Sequence, residues 1–69
     1  MSPIQKAVDV VGGQSRLADL LGVSPSFVSQ WVAGARPVPA TRCGAIESAT
    51  GGKVSRADLR PDVFGEVIA

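Results

Sequence analysis

Ser26, Ser29, Gln30 and Ala33 recur at the i, i+3, i+4, i+7 spacing that puts side chains on one face of a helix. The hydroxyls and the carboxamide in that row donate and accept hydrogen bonds without carrying charge, whereas a face meant only for solvent more usually carries Glu and Lys. Such a face suits close approach to base edges: a glutamine amide can bond N6 and N7 of adenine together, and serine bonds any base with little discrimination. Positive charge lies beside it. Between Gln14 and Arg42, Arg16, Arg36 and Arg42 stand against Asp19 for a net +2, while from Cys43 onward Lys53, Arg56 and Arg60 face Glu47, Asp58, Asp62 and Glu66 for a net −1. The whole-chain charge of +1 would not by itself point to nucleic acid; its distribution does, on a modest arginine footprint.

Other chemistries lack their parts. Cys43 is the only cysteine and there is no histidine, so neither a metal site nor a nucleophile–base dyad can be assembled around it; it reads as a small core residue in a reducing compartment. No pair of titratable groups has a spacing that suggests acid–base work, so no enzyme activity, cofactor or metal is expected. Gly12-Gly13 and Gly51-Gly52 are not followed by the Lys-Ser/Thr of a phosphate loop and read as helix terminators.

The polar row must be held by a scaffold, and the sequence outlines one. Ser2 as N-cap and Pro3 at the first position start a helix whose Ile4, Ala7, Val8 and Val11 form a buried stripe, ended by Gly12-Gly13. A second helix runs from about Gln14 to Leu21 and buries Leu17, Ala18 and Leu21, with Ala18 small enough to let the next helix cross closely. Gly22 supplies a positive-φ turn, Val23 tucks between helices, Ser24 caps and Pro25 opens the third helix, Pro25 to about Ala33. On it Phe27, Val28 and Trp31, supported by Val32, should pack inward, which makes Trp31 a core residue and not a base-stacking one.

Gly34 stops that helix, and two prolines stiffen the connector 35–39. A fourth helix begins near Pro39 and runs to about Thr50, burying Cys43, Ile46 and Ala49, with Gly51-Gly52 as its stop. Ser55 and Asp58 have capping-box spacing and open a short fifth turn that buries Leu59 and ends at Pro61. Lys53, Arg56 and Arg60 read as solvated charges. From Asp62 onward Val63, Phe64, Val67 and Ile68 form an apolar set with no later element to cover it; this tail folds back on the core or meets a second subunit.

Five short helical patterns and no alternating strand make the class all-α, a compact bundle forming a single domain over residues 1–69. At that size burial alone leaves stability marginal, so a partner or dimer contact would matter. No apolar run approaches the ~20 residues of a membrane span. The start MSPIQKAVDVV has no basic leader ahead of an apolar block, so the cytoplasm is the expected compartment.

Gln14, Leu17, Ala18, Leu21, Gly22, Val23, Val28 and Trp31 stand at the spacing of the helix-turn-helix of Cro- and CI-type phage repressors, the lambda-repressor-like fold. More closely, GGQSRLADLLGVSPSFVSQW with RPVPATRCGAIESATGGKVSRADLRPDVF resembles the Cro-like YdaS-type antitoxins, prophage-associated regulators. The resemblance runs from about Ile4 to Phe64; Gly65 to Ala69 carry nothing the family would fix. It implies sequence-specific binding of double-stranded operator DNA, by a homodimer on repeated or palindromic half-sites, with repression of transcription and residence on the nucleoid when bound. Carried over by position, Gln14 matches a residue that clamps a backbone phosphate beside a helix N-terminus, where the dipole favours an anion. Ser24, Pro25, Ser26, Ser29 and Gln30 match the positions facing the major groove.

Arg36 and Arg42 match phosphate-contacting positions, with Thr41 beside them. Arg16 is a further phosphate candidate, although Asp19 three residues on offers it an ion pair. The chain departs from strong repressors in having no Arg or Lys on the recognition face, so a bidentate arginine on guanine is unavailable there, and binding by a dimer, or cooperatively by several copies, is the expectation that follows. A second reading stays open, an antitoxin that neutralises a toxin by direct contact through the apolar tail or a helix groove.

Overall fold

The computed structural model describes residues 2–65. Ser2 is extended, and its Oγ accepts a hydrogen bond from the Gln5 N–H at 3.2 Å; with Pro3 in the first turn this starts α1 (Pro3–Val11). Gly12 and Gly13, at φ 96° and 138°, turn the chain sharply into α2 (Gln14–Leu21). α2 ends on Gly22 at φ 70°, where the Val23 N–H reaches back to the Ala18 carbonyl at 3.0 Å and closes the left-handed cap. α3 (Pro25–Ala33) follows and ends the same way, Gly34 at φ 77° letting the Ala35 N–H donate to the Gln30 carbonyl at 3.0 Å. After the proline connector come α4 (Ala40–Ala49), α5 (Arg56–Leu59) and α6 (Pro61–Phe64). All six elements in the described residues are helices, as the all-α reading required.

The core joins the inner faces of α1 to α4. Leu17, Val28, Cys43, Ile46 and Val54 are its largest fully buried side chains, with Ile4, Ala7, Val8, Ala18, Leu21, Trp31 and Val38 closing around them. Trp31 is thus a core residue. The burial of Val38 and Val54 was not legible in the helical periodicity, because both lie on connections. Val54 is held by Thr50: its Oγ1 accepts from the Val54 N–H at 3.2 Å and donates to the Glu47 carbonyl at 3.1 Å, bracing the Gly51-Gly52 turn from inside. Thr50 is itself 3% exposed, the only polar residue buried among those described.

Four expectations need correction. Phe27 does not pack inward; it is 46% exposed, because its place on α3 lies at the margin of the stripe formed by Val28 and Trp31. Ser24 occupies the N-cap of α3 with extended backbone, but its hydroxyl makes no capping bond. Pro61 does not merely end the fifth turn; it opens α6, a proline in the first turn of a helix losing nothing by its missing N–H. Arg60 is not a solvated charge: it pairs with Asp62 through Nε and Nη2 at 2.9 and 2.7 Å and donates from Nη1 to the Val38 carbonyl at 2.8 Å.

The capping box at α5 is complete, with the Asp58 N–H donating to Ser55 Oγ and the Ser55 N–H to Asp58 Oδ2, both at 3.1 Å. Of the tail, Phe64 turns back against the core while Val63 stays 50% exposed; Val67 and Ile68 lie outside the described residues.

Candidate nucleic-acid interface

α3 is held by its apolar side, Val28 and Trp31, and this fixes which residues are left outside. Ser24, Pro25, Ser26 and Ser29 are all exposed and Gln30 is half-buried, so the row expected to face a partner does stand on the outer side of this helix. The Ser24 hydroxyl, free of capping duty, can bond a ligand. The Gln30 amide is turned differently from what base reading needs. Its Oε1 is buried and has no hydrogen-bond partner among the described residues, so presenting both amide atoms to an adenine requires the side chain to rotate outward.

The expected phosphate-contacting residues fall into three places. Gln14 and Arg16 line a shallow hollow at the start of α2 with Gly12, Gly13, Ser15, Asp19 and Leu20. Arg16 forms no ion pair with Asp19, the two salt bridges of the described residues being Arg56–Glu47 and Arg60–Asp62. Thr41 and Arg42 line a groove with Val23, Phe27, Trp31 and Pro39, beside the outer row of α3. Arg42 Nη1 also donates to the Leu21 carbonyl at 3.3 Å, so this side chain ties α4 to the C-terminus of α2 as well as presenting charge. Arg36 stands apart, exposed on a cleft with Ser2, Pro3, Ile4, Trp31 and Arg60.

α1 and α5 are capped by serine hydroxyls, whereas α2, α3 and α4 begin at Gly13, Ser24 and Pro39 with no side chain bonded to their first amides. Unpaired N–H groups at a helix start, with the positive end of the dipole, are a ready site for phosphate oxygens. α6 also begins without a side-chain cap, at Arg60; the other three uncapped starts belong to the helices that carry Gln14, the Ser/Gln row and Thr41–Arg42. Gln14, the Ser/Gln row and Thr41–Arg42 offer amides, hydroxyls and a guanidinium group, the kinds of donor that bond phosphate oxygens and base edges. Burial pushes the Cys43 thiol above its ordinary pKa, in keeping with an inert core residue.

Phe27, which the sequence places near the edge of the apolar stripe of α3, stands exposed beside this row, directly after Ser26 and three residues before Gln30.

The family described as bacterial toxin YdaS matches residues 4–68. The chain is 58% identical over 59 residues to YdaS of Escherichia coli, a candidate transcriptional regulator; the match covers 86% of this chain and 60% of that protein, so the chain spans under two thirds of the relative's length. Among solved structures, the Cro protein of a candidate prophage element, Xfaso 1, in Xylella fastidiosa is 47% identical and superposes with a TM-score of 0.89 over 96% of this chain and 100% of that one.

Proposed function

The chain belongs to the YdaS family, and from that premise we propose that it is a sequence-specific DNA-binding transcriptional regulator that lays α3 in the major groove of an operator. The observation that carries the reading is the α2–Gly22–α3 unit, whose buried Leu17, Ala18, Leu21, Val28 and Trp31 leave a neutral hydrogen-bonding row outward. The likeness to a Cro protein and to a candidate transcriptional regulator supports it. In this reading Ser24, Pro25, Ser26, Ser29 and Gln30 meet base edges, while Gln14, Arg16, Arg36, Thr41 and Arg42 meet phosphates. Two copies act together on paired half-sites, and occupancy of a promoter represses it. The decisive experiment is selection of binding sites from random duplexes followed by mobility shifts at several salt concentrations. An enriched site with salt-dependent affinity is expected; a pool that never enriches would overturn the reading.

The family description, which says toxin and not antitoxin, supports a second reading in which the protein belongs to a toxin–antitoxin pair and works by contact with another protein. The antitoxin expected from the sequence is one side of such a pair, and the description names the other. Capture of the neighbouring gene product, together with growth of cells expressing this chain alone, separates the roles: arrest assigns the toxin side, and rescue of a partner-induced arrest assigns the antitoxin side. Neither effect, with no capture, removes the reading.

A further inference from the structure

Of the large apolar side chains left exposed among the described residues, only Phe27 lies on α3. It is 46% exposed, it directly follows Ser26, and it precedes Gln30 by three residues, so on a helix it borders the polar row. It also lines a groove together with the apolar Val23, Trp31 and Pro39 and with the polar Thr41 and cationic Arg42. Half a phenyl ring in water is unfavourable, and a smaller or polar residue there would leave the core intact, since Phe27 is not part of it.

The groove thus brings apolar side chains and an arginine together. A nucleotide in duplex DNA presents the same pairing from the other side: the thymine 5-methyl is the one apolar group that bases offer in the major groove, and a phosphate flanks it along the strand. We propose that Phe27 is a specificity-determining residue that packs on the 5-methyl of a thymine in the operator. The neighbouring phosphate lies within reach of Thr41 and Arg42. The proposal rests on the DNA-binding reading above and extends it: the serine and glutamine row discriminates by hydrogen bonds, and Phe27 adds discrimination by shape and apolar contact, which separates thymine from cytosine.

The test starts from the selected operator. Each thymine is replaced in turn by deoxyuridine, which removes the methyl and nothing else, and affinities are measured for the wild-type protein and for Phe27→Ala and Phe27→Leu. Wild-type protein is expected to lose about fourfold at one thymine of each half-site, the equivalent of one buried methyl group. Phe27→Ala should bind the thymine and deoxyuridine operators alike, while Phe27→Leu keeps part of the difference; Phe27→Leu should melt near wild type and Phe27→Ala somewhat below it while remaining folded, because nearly half of Phe27 is exposed. If wild-type protein is indifferent to every replacement, or if Phe27→Ala keeps the full thymine preference, Phe27 is not the reader. If Phe27→Ala keeps wild-type affinity for every duplex but sediments as a smaller species, the ring belongs to a contact between copies and the proposal is overturned. Failure of the underlying reading looks different, since no duplex would then be enriched by the wild-type protein.

Discussion

Gln30 is under two opposing demands. Its Oε1 is buried without a partner among the described residues, and a bidentate bond to adenine would draw the amide outward and give that oxygen a donor. Gln30→Ala should therefore weaken the cognate site by about 1–3 kcal/mol while leaving random DNA unaffected, and the melting temperature should hold or rise. Equal losses on both kinds of DNA would remove its reading role. Arg36 is exposed and bonded to no carboxylate among the described residues, so Arg36→Ala should weaken all duplexes alike and flatten the salt dependence by about one unit of slope, read from affinities across a salt series. Arg42 differs because its guanidinium also holds the Leu21 carbonyl. Its removal should lower the salt slope and the folding stability together, the latter by about 1 kcal/mol in urea titrations.

At the scale of elements, the crossing of α2 under α3 depends on a side chain that takes up almost no room. Ala18 is fully buried and its carbonyl receives the Val23 N–H that closes the turn, so Ala18→Leu should cost about 1–3 kcal/mol of stability through overpacking, measured by chemical denaturation. A variant as stable as wild type would mean that the helices stand further apart than described. The carboxyl groups around α5 and α6 form a second system. The Arg56 backbone N–H holds Glu47 below its ordinary pKa, the Ser55 N–H does the same for Asp58, and the Arg60 side chain for Asp62. A carboxyl whose folded pKa is depressed binds fewer protons folded than unfolded, so its stabilising effect is complete above the ordinary carboxylate range and is lost as pH falls through the folded value. Melting temperature should be flat near neutrality and fall below about pH 4. Glu47→Gln, Asp58→Asn and Asp62→Asn combined should flatten that fall, and an unchanged acid limb would place the effect elsewhere.

For the whole molecule, the outward Ser/Gln row of α3 is neutral, and Arg16, Arg36 and Arg42 stand at three separate places. In the proposed DNA-binding role such a surface would give one copy few phosphate neutralisations and no guanine-binding arginine, so that role calls for affinity from two copies acting together. Footprinting of the selected operator should show two protected half-sites about 10 base pairs apart, or a multiple of that, with two chains bound per duplex in sedimentation. A single half-site bound as tightly as the pair would refute this arrangement.

The amino-acid sequence alone determined α1 to α4 almost to the residue. Their boundaries are local events: proline in the first turn of α1 and α3, and glycine in the left-handed conformation after α1, α2 and α3, each settled within one turn of chain. The inner faces followed from periodicity for the same reason, and so did the family resemblance carried by Gln14 to Trp31. Contacts between residues far apart in the chain were decided only by packing. Arg42 reaches the carbonyl of Leu21 across 21 positions and Arg60 that of Val38 across 22, and no spacing rule connects such pairs. Val38, Thr50 and Val54 are buried because neighbouring helices close over connections that carry no periodic signal. Phe27 sits at the margin of its stripe, where a helical wheel allows either side; in the fold it lines an open groove with Pro39, Thr41 and Arg42 and stays 46% exposed.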